Sequence, residues 1–217
     1  MDIERRTAAN TAIVLIAFIT GFAPLIGSQT IIENVAGGRA LVQIARTYDV
    51  PLVVSSGPRE DPRGVLYPQI AEVLEDHPIV YRGLSFDAFE DEGFEQAVAA
   101  TGRRHLLIAG LMTDGCVMHT TISALRKDYE VSVVVDATAT EKPTTHDAAL
   151  TRFTQLGVTL RSWLSLASEF QGSYANTDTL ADFRQIQSNM PGYAMLNGTI
   201  GNVREILANV QSEAVGR

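Results

Sequence analysis

The run Leu106-Leu107-Ile108-Ala109 carries no polar residue, ends in Gly110 and is followed closely by the chain's single cysteine, Cys116. A segment that is apolar on both faces fits a strand buried inside a parallel sheet, which narrows the fold to the α/β class. From Cys116 to about Lys127 the sequence reads as a helix. The cysteine therefore falls where a strand hands over to a helix. In open α/β sheets ligands bind in that place, beyond the carboxyl ends of the strands. Helix-start amides and the helix dipole favour a thiolate there. A lone cysteine is also compatible with a small buried hydrophobe, so its neighbours decide between nucleophile and filler.

The rest of the chain repeats the same alternation. Thr11 to Phe18 is β-branched and apolar and reads as a first, central strand. A loop from Gly21 to Thr30 leads to a helix over Glu33 to Tyr48. Further strands are expected at Pro51 to Ser56, Ile79 to Tyr81, Val131 to Asp136 and Val158 to Leu160, with helices at Pro68 to Leu74, Phe94 to Thr101 and His146 to Gln155. This order predicts a three-layer α/β/α sandwich around a parallel sheet of about six strands. The loop Gly57 to Gly64 follows the second strand and borders the pocket; its charges Glu60 and Asp61 read as solvated. The tail from about Trp163 reads as two or three helices separated by Pro191-Gly192 and Asn197-Gly198. Residues 1–170 are taken as the domain. Residues 171–217 are taken as a helical extension with too few apolar residues for a core of its own, packing on the domain or on a neighbouring subunit.

Composition excludes several functions. The net charge of −8 and the lack of a Lys/Arg cluster argue against a nucleic-acid surface. Hydrophobic residues at 46% are enough to close a core. The apolar stretch Thr11 to Ile26 is short for a membrane span and is broken by Thr20, Gly21 and Pro24, so it reads as strand and loop. One cysteine suits a reducing compartment, and a cytoplasmic location is expected. No Gly-rich phosphate fingerprint is present, and His77, His105, His119 and His146 show no metal-site spacing. Neither a metal nor a cofactor is expected.

A cysteine nucleophile needs a group to move protons and donors for the oxyanion. These come from strand ends, here Ala17-Phe18, Ser55-Ser56, Arg82 and Asp136. The octet Gly110-Leu111-Met112-Thr113-Asp114-Gly115-Cys116-Val117 resembles the signature of the isochorismatase-like cysteine hydrolases, which include nicotinamidases, N-carbamoylsarcosine amidase and YcaC-like proteins. Val134-Val135-Asp136-Ala137 and His146-Asp147-Ala148-Ala149-Leu150 support the resemblance, which covers about Thr11 to Glu169.

That resemblance implies hydrolysis of a C–N, amide-like bond in a small molecule through a thioester on Cys116. It makes Arg82 the basic member of the triad. The amides of Met112 and Cys116 become the oxyanion hole, with a cis peptide at Leu111-Met112. The family's aspartate falls on Ala17 and its glutamine on Ile19. Alanine takes no proton, and general acid–base work is worth about 10²–10⁴-fold in rate, so the implied hydrolysis is impaired or altered. Asp114, His119 and Asp136 are the candidates to replace the acid, each with an ordinary structural reading as well. Phe18, Phe22, Phe86 and Phe89 are the candidate substrate wall, with Met118 nearby. Homo-oligomerisation is expected by analogy. The alternative function is a divergent pseudo-hydrolase that binds a small molecule or serves as an assembly scaffold.

Overall fold

The computed structural model describes residues 4–215, with side chains described for residues 4–208. Six parallel strands form one sheet: β1 (Thr11–Ile16), β2 (Leu52–Ser56), β3 (Ile79–Tyr81), β4 (His105–Leu111), β5 (Glu130–Ala139) and β6 (Thr159–Arg161). Their order is β3-β2-β1-β4-β5-β6. The chain winds outward from β1 to one edge, then crosses to β4 and winds to the other. The switch point therefore lies between β1 and β4, where the crevice of a doubly wound sheet opens. Both strands are buried along their whole length, as the unbroken apolar runs require.

Helices cover both faces. On one side lie α1 (Ile31–Thr47), α2 (Pro68–Leu74), α6 (Trp163–Gln171) and α7 (Leu180–Gln187), whose Leu41, Ile44, Ile70, Leu166 and Phe183 share a core with Ile13 and Leu15. On the other lie α3 (Glu92–Ala100), α4 (Met118–Arg126) and α5 (Pro143–Gln155), whose Phe94, Ala124 and Phe153 pack against Val14 and Ile108. The three-layer α/β/α sandwich expected from the alternation is thus the observed fold.

The differences from the sequence reading have local causes. β1 stops at Ile16, because Ala17 takes φ 51° and turns the chain out of the sheet. The first helix starts at Ile31, where Thr30 and Glu33 close a reciprocal capping box. β5 runs on to Ala139, past the expected end at Asp136; a register shift opposite Ile108–Gly110 lets Thr138 and Ala139 pair with Gly110 and Leu111. The pair Asn197-Gly198 does not interrupt the last helix, α8 (Pro191–Val215). Side chains of α7 belong to the domain's own core, whereas α8 leaves Met195, Leu196, Ile206 and Leu207 exposed.

Candidate active site

Cys116 sits in a tight turn, Thr113–Val117, between β4 and α4, and is 8% exposed. The Leu111–Met112 peptide before the turn is cis, as the resemblance implies. The Met112 carbonyl accepts from the amides of Gly115 and Val117 at 3.0 and 3.2 Å, which folds the turn back on the strand end. Thr140, just past β5, ties the turn to the entrance of α1. Its hydroxyl donates to Asp114 Oδ1 at 2.6 Å, and its carbonyl accepts from the amides of Gly27 and Ser28 at 3.0 and 2.9 Å. On the other flank, Thr113 Oγ1 and His146 Nδ1 lie 2.9 Å apart. Burial holds the half-buried His146 imidazole below its ordinary pKa.

Cys116 faces a cavity of about 20 Å³ lined by Ala17, Ile19, Phe22, Arg63, Arg82 and Phe86, among others. Ala17 comes from the end of β1, Cys116 from the end of β4 and Arg82 from the residue after β3, so strand ends that are distant in sequence converge here. Arg82 is 5% exposed. Its Nη1 donates to the Ser85 carbonyl, and its Nε has no hydrogen-bond partner among the described residues.

Ala17 brings a methyl group to the place where the resemblance puts a carboxylate. Its φ of 51° lies in the left-handed region, which aspartate and asparagine enter more readily than most residues. The backbone at this position thus has a shape that would suit an aspartate as well. Ile19, where the resemblance puts a glutamine, closes the wall beside it.

The loop after β2 changes the electrostatics. Asp61 was read as a solvated rim charge, but its side chain is only 1% exposed. It pairs with Arg63, accepting from Nε at 2.8 Å and Nη2 at 2.7 Å, and from the Arg63 backbone amide at 2.9 Å. The hydrogen bonds from Arg63 hold the Asp61 carboxyl below its usual range, and the fields of Arg63 and Arg82 add to that. Arg63 is shifted upward in turn, chiefly by its hydrogen bonds to Asp61, with a smaller contribution from Cys116. Its guanidinium also stands 5.3 Å from the Phe22 ring centroid. Two glycines make room for this loop: a side chain at Gly57 would strike Asp61 Oδ2 at 1.9 Å, and one at Gly21 would strike the Arg63 carbonyl at the same distance. Those glycines let the loop lie flat over the cavity.

The other sequence candidates are dispersed. Phe22 and Phe86 line the cavity. Phe18 is buried in the opposite core layer, and Phe89 packs against Phe94 and Tyr129; neither lines the cavity. Asp136 accepts from the Trp163 amide at 2.9 Å and so caps α6, and its carboxyl is pushed up by burial. His119 is exposed beside the Phe86 ring. Asp114 is engaged by Thr140. None of these carboxylates reaches the cavity lining. In the acidic run that follows Arg82, Asp87 caps the turn at Phe89 and Asp91 the one at Phe94. At the opposite end of the sheet, Glu4, His105 and Glu130 bring three ligand-type atoms within 4.8 Å of one another. Arg6 Nη1 lies 2.7 Å from His105 Nδ1, so a guanidinium already occupies that cluster.

Residues 11–165 match the isochorismatase domain model. The chain belongs to the isochorismatase family. The probable hydrolase YcaC of Escherichia coli strain K12 is 32% identical over 137 residues, covering 63% of this chain and 66% of that protein. A probable inactive nicotinamidase of Arabidopsis thaliana is 34% identical over 82 residues, 36% of this chain and 42% of the relative. Among solved structures, YcaC from Pseudomonas aeruginosa with hexane-2,5-diol and covalent acrylamide superposes with TM-score 0.85 at 31% identity, covering 93% of this chain and 99% of that one. The Escherichia coli YcaC structure, an octameric hydrolase of unknown specificity, gives 0.86 at 27%, covering 94% and 99%. No helix among the described residues is long and apolar enough to cross a membrane.

Proposed function

We propose that this member of the isochorismatase family is a cysteine hydrolase of weakened power, acting on a C–N bond of a small molecule. In this reading Cys116 Sγ attacks an amide-like carbonyl carbon, the amine leaves, and water releases the acid from the thioester. The amides of Met112 and Cys116 serve as the oxyanion hole, and the cation of Arg82 supports the charge that develops beside the sulfur. The observation that carries the reading is the convergence of Cys116, Arg82 and Ala17 on one cavity at the switch point of the sheet. Ala17 leaves the departing nitrogen without a proton donor, which is the step that limits an amide most. Assembly into a homo-oligomer belongs to the same reading. It is supported by the apolar residues that α8 exposes and by the octameric YcaC relative.

The alternative, a pseudo-hydrolase that binds without turnover, is favoured by one observation: among the described residues the cavity lining holds no carboxylate. The deciding experiment measures hydrolysis of an aryl ester, whose leaving group needs no proton, beside the matching amide, for the parent and for Ala17→Asp. The hydrolase reading expects ester turnover that vanishes in Cys116→Ser, and a gain in amide turnover of about 10²-fold in Ala17→Asp. Ester hydrolysis that persists in Cys116→Ser, or none in any variant, would leave the binding reading in its place.

A further inference from the structure

The geometry points to a carboxylate-binding subsite above Ala17, in which the ligand's own carboxylate takes the space of the missing aspartate side chain and pairs with Arg82. Arg82 is 5% exposed, and no carboxylate forms an ion pair with it among the described residues. Its protein partner is a neutral carbonyl, that of Ser85, and its Nε is buried with no acceptor. A buried cation is costly unless it is paired and hydrogen-bonded. Asp61 acts on Arg82 through its field, but three donors of Arg63 already engage its oxygens.

Arg82 lines the same cavity as Ala17 and Cys116. A group entering that cavity therefore meets the Arg82 side chain, whose guanidinium carries no ion pair among the described residues, a small methyl floor and the sulfur. A carboxylate is the planar acceptor that a guanidinium fork matches best. The rim is made in part by Leu84 and Phe86, which are 78% and 65% exposed and are not held by the core. A short apolar body attached to the carboxylate would lie against them. The ligand class is thus a small carboxylic acid with a short apolar body, and formate and acetate are its minimal forms.

This subsite rests on the hydrolase reading only for its chemical use. If the substrate carries both the carboxylate and the scissile amide, its carboxylate accepts the proton of Cys116 Sγ as the S–C bond forms. It then returns that proton to the nitrogen as the C–N bond breaks, leaving the thioester and a neutral amine. The substrate would bring the acid that the chain has lost.

The test compares alkylation of Cys116 by iodoacetate and by iodoacetamide, reagents that differ in carrying a carboxylate or a neutral amide. A small free thiol measured in parallel supplies the reference ratio. The proposal expects the iodoacetate-to-iodoacetamide rate ratio at Cys116 to exceed the reference by about tenfold, the scale of one charge-assisted pair. It also expects sodium formate, but not equal ionic strength of sodium chloride, to slow iodoacetate. In Ala17→Asp, where a carboxylate is built in, both effects should disappear, and in Arg82→Gln as well. A parent ratio at or below the reference, or equal effects of formate and chloride, would overturn the subsite. Should Arg82→Gln fail to fold, the parent and Ala17→Asp still decide. The readout is independent of turnover. A preference for iodoacetate with no amide hydrolysed keeps the subsite and removes the hydrolase reading, and the converse removes the subsite alone.

Discussion

Asp61 grips Arg63 through both of its carboxylate oxygens, at 2.8 and 2.7 Å, and so fixes one side of the cavity over Cys116. The pair is uneven in exposure, with the Asp61 side chain at 1% and that of Arg63 at 41%. Losing the charge of Asp61 therefore leaves a guanidinium that can turn to water, and the loss is smaller than for a fully buried pair. Asp61→Asn is expected to destabilise the protein by about 1–3 kcal/mol, read from denaturant unfolding.

The same pair sets an acid limit. The folded-state pKa of Asp61 is lowered by Arg63, so its stabilisation is present above the unfolded value of about 3.9 and is lost as pH falls through the folded value. Unfolding free energy should decline below about pH 4, and the slope there should be shallower in Asp61→Asn. An unchanged slope would show that Asp61 is already protonated or unpaired in solution.

His146 predicts a second pH window with a different origin. Burial lowers its folded pKa below the ordinary value of about 6.5. The unfolded chain then binds the proton first, so stability falls as pH drops from about 6.5 toward the folded value, and is unaffected above it. Thermal melting between about pH 7 and 5.5 should show this decline, and His146→Gln should flatten it.

Ala17 can be probed through its backbone. At φ 51°, a β-branched side chain is a true outlier, whereas asparagine is tolerated. Ala17→Val is expected to cost about 2 kcal/mol or more, and Ala17→Asn to stay within about 1 kcal/mol of the parent. Equal melting temperatures for the two would contradict the left-handed turn at this position.

Gly21 tests the cover over the sulfur. A Cβ there would lie 1.9 Å from the Arg63 carbonyl, so Gly21→Ala must push the 57–67 loop outward. Overpacking of this kind costs about 1–3 kcal/mol. The expected signature is a lower melting temperature together with faster alkylation of Cys116 by neutral iodoacetamide. A lower melting temperature with unchanged alkylation would mean that the loop does not guard the thiol.

The sheet was legible because its strands announce themselves. The runs at residues 11–16 and 105–111 have no polar face, and only burial on both sides satisfies them. The elbow at Cys116 was legible for the same reason, since it follows the clearest strand. Asp61 and Arg63 were not, because a charged loop looks solvated until tertiary contacts cover it. What brings that loop down is a set of backbone pairings with residues 18–20: Thr20 N–H to the Val65 carbonyl at 2.9 Å and Tyr67 N–H to the Phe18 carbonyl at 3.0 Å. Such pairings leave no mark in side-chain patterning. Phe18 and Phe89 were misplaced because an aromatic residue near a strand end fits a core as well as a pocket wall, and only the turn at Ala17 decides which way Phe18 faces.

Thr140 gives the molecule a mechanical property. Its carbonyl clasps the amides of Gly27 and Ser28, its own amide donates to Ser28 Oγ at 3.0 Å, and its hydroxyl holds Asp114. The turn that presents the sulfur and the threshold of α1 therefore share a single rivet. Neither can tilt without loading the other, so the nucleophile's aim is set partly by a helix that contributes nothing to its chemistry.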